Sequence, residues 1–270
     1  MTSDSPGRSW PQQPFDASVP QSARVWNYWL GGKDNFAPDR ELGDQIEQIL
    51  PGIRDIARES RLFLTRAVRY LVGDVGIRQF LDIGAGLPAT DNTHTIAQIL
   101  NPDARVVYVD NDPLVLAHAR ALLTGSADGI TACIEADIRD PDRILHSVER
   151  ALDLTEPIGL MMLCVLGHIE DYEQARASVD RLVTALPPGS YVVVSDGTNV
   201  VDPEGSDEAT RLSLKAGIPY IPRHPDQIAG YVHGLELVEP GVVSSSLWRS
   251  DPGAGSPAVL DVFCGVARKQ

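Results

Sequence analysis

From residue 79 onward the chain alternates short apolar, β-branched runs with amphipathic stretches, and this alternation constrains its fold more than any other feature. The apolar runs are 79–83, 105–109, 130–135, 158–166 and 191–195. The predicted helices between them are 93–100, 113–123, 141–152 and 172–186. Strand–helix–strand repeats of this kind require parallel strands whose crossover helices cover both sheet faces. After Ser195 the pattern changes. One or two helices, about 206–215 and 224–232, precede two strands at 235–243 and 259–267 with no helix between them, a spacing that predicts antiparallel pairing. The expected fold is α/β and Rossmann-like, with a seven-stranded, mostly parallel sheet that ends in an antiparallel hairpin.

The segment ahead of the sheet reads as helical. Residues 22–30 form a short helix, with Ser22 as N-cap and Gly31-Gly32 as stop. Pro38 opens a second helix that runs to Leu50, before Pro51. A third has helical spacing at Ile53, Ile56, Ala57, Ser60, Leu64, Ala67, Val68 and Leu71. The expected organisation is a loose tail over 1–20, a helical cap or lid over 21–75, and the sheet domain over 76–270, all in one continuous domain.

A net charge of −14 is a poor basis for gripping nucleic-acid phosphates, and no Lys/Arg cluster is placed to dock on anionic lipid. Cys133, Cys164 and Cys264 stand far apart in apolar runs without metal-ligand spacing, so they read as core thiols in a reducing compartment. No motif demands a metal. The longest apolar run, 158–166, is far short of the ~20 residues that span a bilayer. The expectation is a cytoplasmic protein acting on a small molecule.

The polar residues with chemical meaning fall at the strand ends. The first strand runs Leu81-Asp82-Ile83-Gly84-Ala85-Gly86-Leu87-Pro88; its glycine pair allows a tight turn and close approach of a ligand to the backbone. Asp110 ends the second strand 24 residues after Gly86, where a carboxylate can accept from both ribose hydroxyls of an adenosine. Asp112, before Pro113, suits a helix cap instead. Asp137 ends the third strand and can meet an adenine amino group, while Asp140 suits the cap of the next helix. His168 follows the fourth strand and reads either as a group near the reacting end or as a local packing residue.

This constellation resembles the class I S-adenosylmethionine-dependent methyltransferases. Residues 23–40 (Ala23-Arg24-Val25-Trp26-Asn27 through Pro38-Asp39-Arg40), Leu81 through Pro88, Asn92-Thr93-His94 and Val107 through Pro113 are similar to a bacterial S-adenosyl methyltransferase family first catalogued as a domain of unknown function. The likeness covers about residues 20–268. It implies S-adenosylmethionine as cofactor, with S-adenosylhomocysteine as product. Its implied pocket comprises Asp82, Gly84, Ala85, Gly86, His94, Asp110, Asn111, Asp137, Ile138 and Val165. It also implies a polar pair after the fourth strand, of which this chain keeps His168 and has Gly167 in the first place.

Asn27, Tyr28, Lys33 and Asn35 surround the Gly31-Gly32 pair and read either as a substrate-facing lid or as a helix stop with a capped turn. Arg24 and Arg40 can ion-pair there or hold a carboxylate. Methyl transfer from a sulfonium needs orientation and a dry site; a base is needed only where the acceptor must lose a proton. His168 is the candidate base, with Glu170 and Asp196 behind it. Two other readings remain open at this point: a nicotinamide-dependent oxidoreductase using Gly84-Ala85-Gly86, and a non-catalytic cofactor-binding protein. No G-x-S-x-G elbow supports a hydrolase.

Overall fold

The computed structural model describes residues 16–123, 131–250 and 257–270. Most of the expected tail, and Ile130 at the start of the expected third strand, lie outside these residues. Helices α1 (Ser22–Trp29), α2 (Ala37–Ile49) and α3 (Ile53–Arg69) precede the sheet. Then come β1 (Gln79–Ile83), α4 (Thr93–Leu100), β2 (Arg105–Asp110), α5 (Pro113–Leu123), β3 (Thr131–Glu135), α6 (Pro141–Val148), β4 (Ile158–Leu163), α7 (Tyr172–Ala185) and β5 (Tyr191–Gly197). The chain closes with α8 (Pro203–Lys215), α9 (Pro225–Gly230), β6 (Glu236–Leu237), β7 (Val243–Ser244) and β8 (Val262–Arg268).

The sheet order is β3-β2-β1-β4-β5-β8-β6, with β7 also pairing β8. Strands β1 to β5 are parallel and β8 runs antiparallel between β5 and β6. The mostly parallel sheet with an antiparallel end is therefore as expected. The single penultimate strand expected over 235–243 is instead two short strands. Pro240 lies between them, and its missing N–H cannot extend a ladder.

Strand periodicity sorts the core into two layers. Leu81, Ile83, Val107, Val109, Leu160 and Met162 face α6 and α7 on one side. Phe80, Val106, Tyr108 and Met161 face α3 and α4 on the other. Because both faces are covered, β1 is buried at every position, which is why it reads as a continuous apolar run rather than an alternating one. A third cluster joins α1, α2 and the start of α3 to Ala209 of α8 and Val262 of β8. The cap is thus packed over the carboxyl ends of β4 and β5. Arg24 and Asp39, both buried, fasten α1 to α2 through a guanidinium–carboxylate contact of 2.9 Å. No helix among the described residues is long and apolar enough to cross a membrane.

The caps differ from expectation in one respect that matters below. Gln21, not Ser22, caps α1: its side chain accepts from the Ala23 N–H. Ser22 is the first helical residue, and its hydroxyl is used elsewhere.

Candidate active site

A cavity of about 440 Å³ opens where the carboxyl ends of β1 to β5 meet the helical cap. In an open α/β sheet this is the edge at which ligands bind. Asp82, Gly84, Ala85, Gly86, Asp110, Asn111, Asp137, Ile138, Val165, His168 and Asn27 all line it. Tyr28, Lys33, Asn35, His94, Glu170 and Asp196 are not among its lining residues.

The β1 turn is built for close approach. Gly84 has φ +79° and Gly86 φ +62°, in the left-handed region that side chains disfavour. A Cβ on Gly84 would stand 2.6 Å from Val165 Cγ2, whereas one on Gly86 would meet nothing within 4 Å. The first glycine therefore lets the β4 loop pack against the turn; the second leaves the space above it open. Gly84→Ala is expected to cost about 2 kcal/mol from the backbone conformation alone. A melting curve and a titration with S-adenosylhomocysteine should both register it; no change in either would mean that the turn tolerates a side chain.

Asp110 holds this turn in register with β2. Its Oδ2 accepts from the Gly86 N–H at 3.0 Å and its Oδ1 from the Asp112 N–H at 2.9 Å. Each oxygen keeps lone-pair capacity for a ligand. Burial raises its pKa to about 6, against the pull of those two N–H donors. Asp112 caps α5 through the Leu114 N–H and does not line the cavity, the division of labour expected from sequence. Asp82 is also buried, and burial raises it to about 6, partly offset by the Thr93 hydroxyl that donates to it at 2.6 Å. Asp137 accepts from Asn111 Nδ2 at 2.9 Å and from the Arg139 N–H at 2.9 Å. Burial works against its charge, but these donors and Arg139 hold its pKa below the usual carboxylate value.

His168 lies on a 3-10 turn (Leu166–His168) after β4. Its Nδ1 is 2.7 Å from the Pro219 carbonyl oxygen and its Nε2 3.1 Å from Ser22 Oγ. A carbonyl only accepts, so Nδ1 carries the proton, and the Nε2 lone pair faces the cavity and the Ser22 hydroxyl. Burial pushes this imidazole below its ordinary value, opposed in part by the Pro219 carbonyl. Gly167 precedes it because any Cβ there would come within 2.8 Å of the Tyr220 ring. Tyr220 thus occupies the space that a side chain at Gly167 would need.

Several expected site residues are placed otherwise. The His94 Nδ1 is bonded to Tyr108 Oη at 2.8 Å, on the α4 side of the sheet. Tyr28 bonds Asp44 and carries the Arg54 guanidinium on its ring. Asn27 Oδ1 accepts from the Asp34 N–H and Asn35 Nδ2, and Arg40 donates to Asn35; Lys33 is exposed. The 31–35 segment is therefore a helix stop with a pinned turn, and only Asn27 of the four expected lid residues reaches the cavity wall. Glu170 is exposed to solvent. Asp196 is fully buried against the Tyr220 hydroxyl, and burial raises it to about 7.

The lining residues not anticipated for the site include Ser22, Ser60, Arg61 and Cys164. Cys164 follows β4 directly with φ +53°, an uncommon conformation for a side-chain-bearing residue and one that clusters at functional sites. Arg61 donates to the Asp91 carbonyl and side chain, yet its buried Nε finds no partner among the described residues. The sequence signal for Arg61 was its place on the apolar stripe of α3, between Ala57 and Leu64, where a cation needs a reason.

A β3-β2-β1-β4-β5 parallel sheet with an antiparallel end, a glycine turn after β1 and an acid at the end of β2 define a class I, S-adenosylmethionine-dependent methyltransferase. The chain belongs to the S-adenosyl methyltransferase family, whose model matches residues 8–270. It is 38% identical to a DUF574 family protein of known structure from Streptomyces avermitilis, at a TM-score of 0.90 over 94% of this chain and 99% of that one. It is 40% identical to a candidate methyltransferase of known structure from Thermobifida fusca, at a TM-score of 0.87 over 97% and 99%. A carboxy-S-adenosyl-L-methionine synthase from Chromohalobacter salexigens is 29% identical over 181 residues, which span 65% of this chain and 59% of that relative. Family membership decides against the nicotinamide reading of the glycine turn.

The residues present fit the cofactor. The open space above Gly86, the two acids at the ends of β1 and β2, and an unpartnered buried nitrogen on Arg61 suit a ligand with an amino-acid end and a ribose. S-adenosylmethionine, when bound, supplies an activated methyl group on a sulfonium.

Proposed function

We propose that this enzyme methylates a small-molecule acceptor in the cavity beneath its N-terminal cap, with the cofactor across the ends of β1 to β3 and the acceptor beside His168. The observation that carries this reading is the continuity of one cavity from Asp110 to the Ser22–His168 pair. In this reading Asp110 accepts from the ribose hydroxyls, and the Gly84-Ala85-Gly86 backbone lies along the amino-acid end. Asp82 and Arg61 face the ammonium and carboxylate of that end. Asn111, Asp137 and Ile138 flank the adenine, and Val165 closes the floor. Residues 21–75 act as a cap that excludes water, which strengthens each of these polar contacts. His168 holds a neutral lone pair in position to take a proton from the acceptor. The compartment consistent with unlinked Cys164 and Cys264 is the cytoplasm of a bacterial cell.

Calorimetric titration with S-adenosylmethionine, and separately with NAD⁺, tests the reading: micromolar binding of the first alone is expected, and binding of NAD⁺ alone would overturn it. The affinity should depend on pH with a definite sign. Ribose hydroxyls donate, so they favour ionised Asp110. With Asp110 raised to about 6, affinity should weaken as pH falls through about 6 and hold constant well above it. Asp110→Asn, which cannot ionise, should flatten that part of the profile; an unchanged profile would remove Asp110 from the binding site.

A further inference from the structure

The cavity wall changes character along its length. At the ends of β1 to β3 it is rich in carboxylates. At the other end, beneath α1, α2 and α8, it is formed largely by Trp26, Trp29, Leu50, Ala209, Ile218 and Pro222, with only uncharged polar groups from these helices: Ser22 and Asn27 of α1 and the hydroxyls of Ser206, Thr210 and Ser213 of α8. Among the described lining residues the charged side chains are Asp82, Asp110, Asp137, Arg61, Arg139 and Asp261. The three strand-end acids belong to the cofactor end. Arg139 is paired with Asp137 at 3.0 Å and Arg61 with Asp91 at 3.3 Å. Asp261 is filled by four donors: the Thr198 hydroxyl and the N–H groups of Val200, Val201 and Asp202. The apolar end thus offers an ion only the Asp261 carboxylate, whose oxygens are already taken by those donors, and an unpaired ion moved out of water there costs several kcal/mol. Ammonium, carboxylate and phosphate groups are rejected on that ground.

The polar device at this end that can move a proton is the Ser22–His168 pair. We propose, on the strength of the functional reading above, that the methyl acceptor is an uncharged, largely apolar molecule carrying a phenolic hydroxyl, seated between α1 and α8 with that hydroxyl directed at Ser22 Oγ and His168 Nε2. Ser22 donates to Nε2 and keeps lone pairs for the acceptor O–H, so the two residues form a relay. As the acceptor oxygen's electron pair closes the new O–C bond, its proton passes to Ser22 Oγ and the Ser22 proton to His168 Nε2. The pair of the broken S–C bond stays on sulfur, and His168 later releases its proton to water. A phenol has an ordinary pKa of about 10, within reach of a neutral imidazole once O–C bonding has begun; an alkanol is a far weaker acid. An alkylamine would arrive protonated and would need a carboxylate that this wall does not leave free.

The groups facing His168 agree with this role. Ser22 approaches from α1, the Pro219 carbonyl and the Tyr220 ring (5.0 Å between ring centres, edge-on) from the loop after α8, and Arg139 acts from the β3 side. Burial and the Arg139 charge both favour the neutral imidazole.

The test uses three probes of one shape: 1-naphthol, 1-naphthoate and 1-naphthylmethylamine. Each is titrated into protein already saturated with S-adenosylhomocysteine. Failure of S-adenosylhomocysteine to bind in that first step would fell the cofactor site itself, separately from the acceptor proposal. With the cofactor product bound, 1-naphthol is expected to bind at least tenfold more tightly than either ion. With S-adenosylmethionine it should yield 1-methoxynaphthalene, at a rate that rises with pH through the His168 titration. His168→Gln should lower that rate at least 100-fold, and Ser22→Ala should lower it less, while both keep S-adenosylhomocysteine affinity within threefold. Naphthol binding no tighter than that of an ion, or methylation indifferent to His168→Gln, overturns the proposal.

Discussion

Asp39→Ala is expected to destabilise the protein by about 3–5 kcal/mol, the usual cost of stripping one partner from a buried ion pair. Arg24 is 2% exposed and Asp39 is wholly buried, so water cannot replace the lost carboxylate. Asp39 also accepts from the Gln21 and Phe36 N–H groups, which ties the start of α1 to the start of α2. Thermal denaturation should show the melting temperature lowered by roughly 10 °C, given about 2–4 °C per kcal/mol for a chain of this size. Arg24→Met combined with Asp39→Leu should recover most of the loss, because removing both charges also removes the desolvation they impose. A single-variant shift under about 2 °C would mean that α1 is not held by this pair. The consequence reaches the site, since α1 carries Ser22 to His168.

Asp110→Ala is expected to weaken S-adenosylmethionine binding about 100-fold. Hydrogen bonds to a charged acceptor contribute about 1.5–3 kcal/mol each, and replacing water's competing bonds leaves a net of about 3 kcal/mol for the pair of ribose hydroxyls. The variant also frees the Gly86 N–H that Asp110 Oδ2 accepts, which loosens the β1 turn. Calorimetry with Asp110→Asn alongside separates the two effects: the amide keeps an acceptor oxygen, so its loss should fall between wild type and alanine. Affinity in Asp110→Ala within threefold of wild type would place the ribose elsewhere.

The sheet was legible in the sequence because its central strands β1, β2, β4 and β5 are largely buried on both faces and its strand ends are punctuated by proline and aspartate. Asp112-Pro113 and Asp140-Pro141 mark helix starts clearly, and both aspartates do cap their helices; that is what set Asp110 and Asp137 apart as the side chains to propose for a ligand. What escaped is contact across long sequence separation. Ser22 has the local chemistry of an N-cap, and nothing near it reveals that its hydroxyl faces His168, 146 residues away. Arg61 lies on the apolar stripe of α3, but nothing local shows that its guanidinium reaches Asp91, ahead of α4, and joins the cavity wall. Tyr28, Lys33 and Asn35 suggested a lid because glycines flank them, whereas Asn27 locks the turn from within. His94 resembled a pocket residue by motif, yet its ring is committed to Tyr108. The break at Pro240 was readable in principle, since a proline inside an expected strand signals its interruption.

A crystal structure of the protein with S-adenosylhomocysteine tests the central claim most directly. The ribose hydroxyls should lie within hydrogen-bonding distance of the Asp110 carboxylate, with the sulfur directed toward Cys164 and the Ser22–His168 pair. Density for the cofactor outside this cavity, or a ribose bonded to another acid with the sulfur turned away from His168, would contradict it.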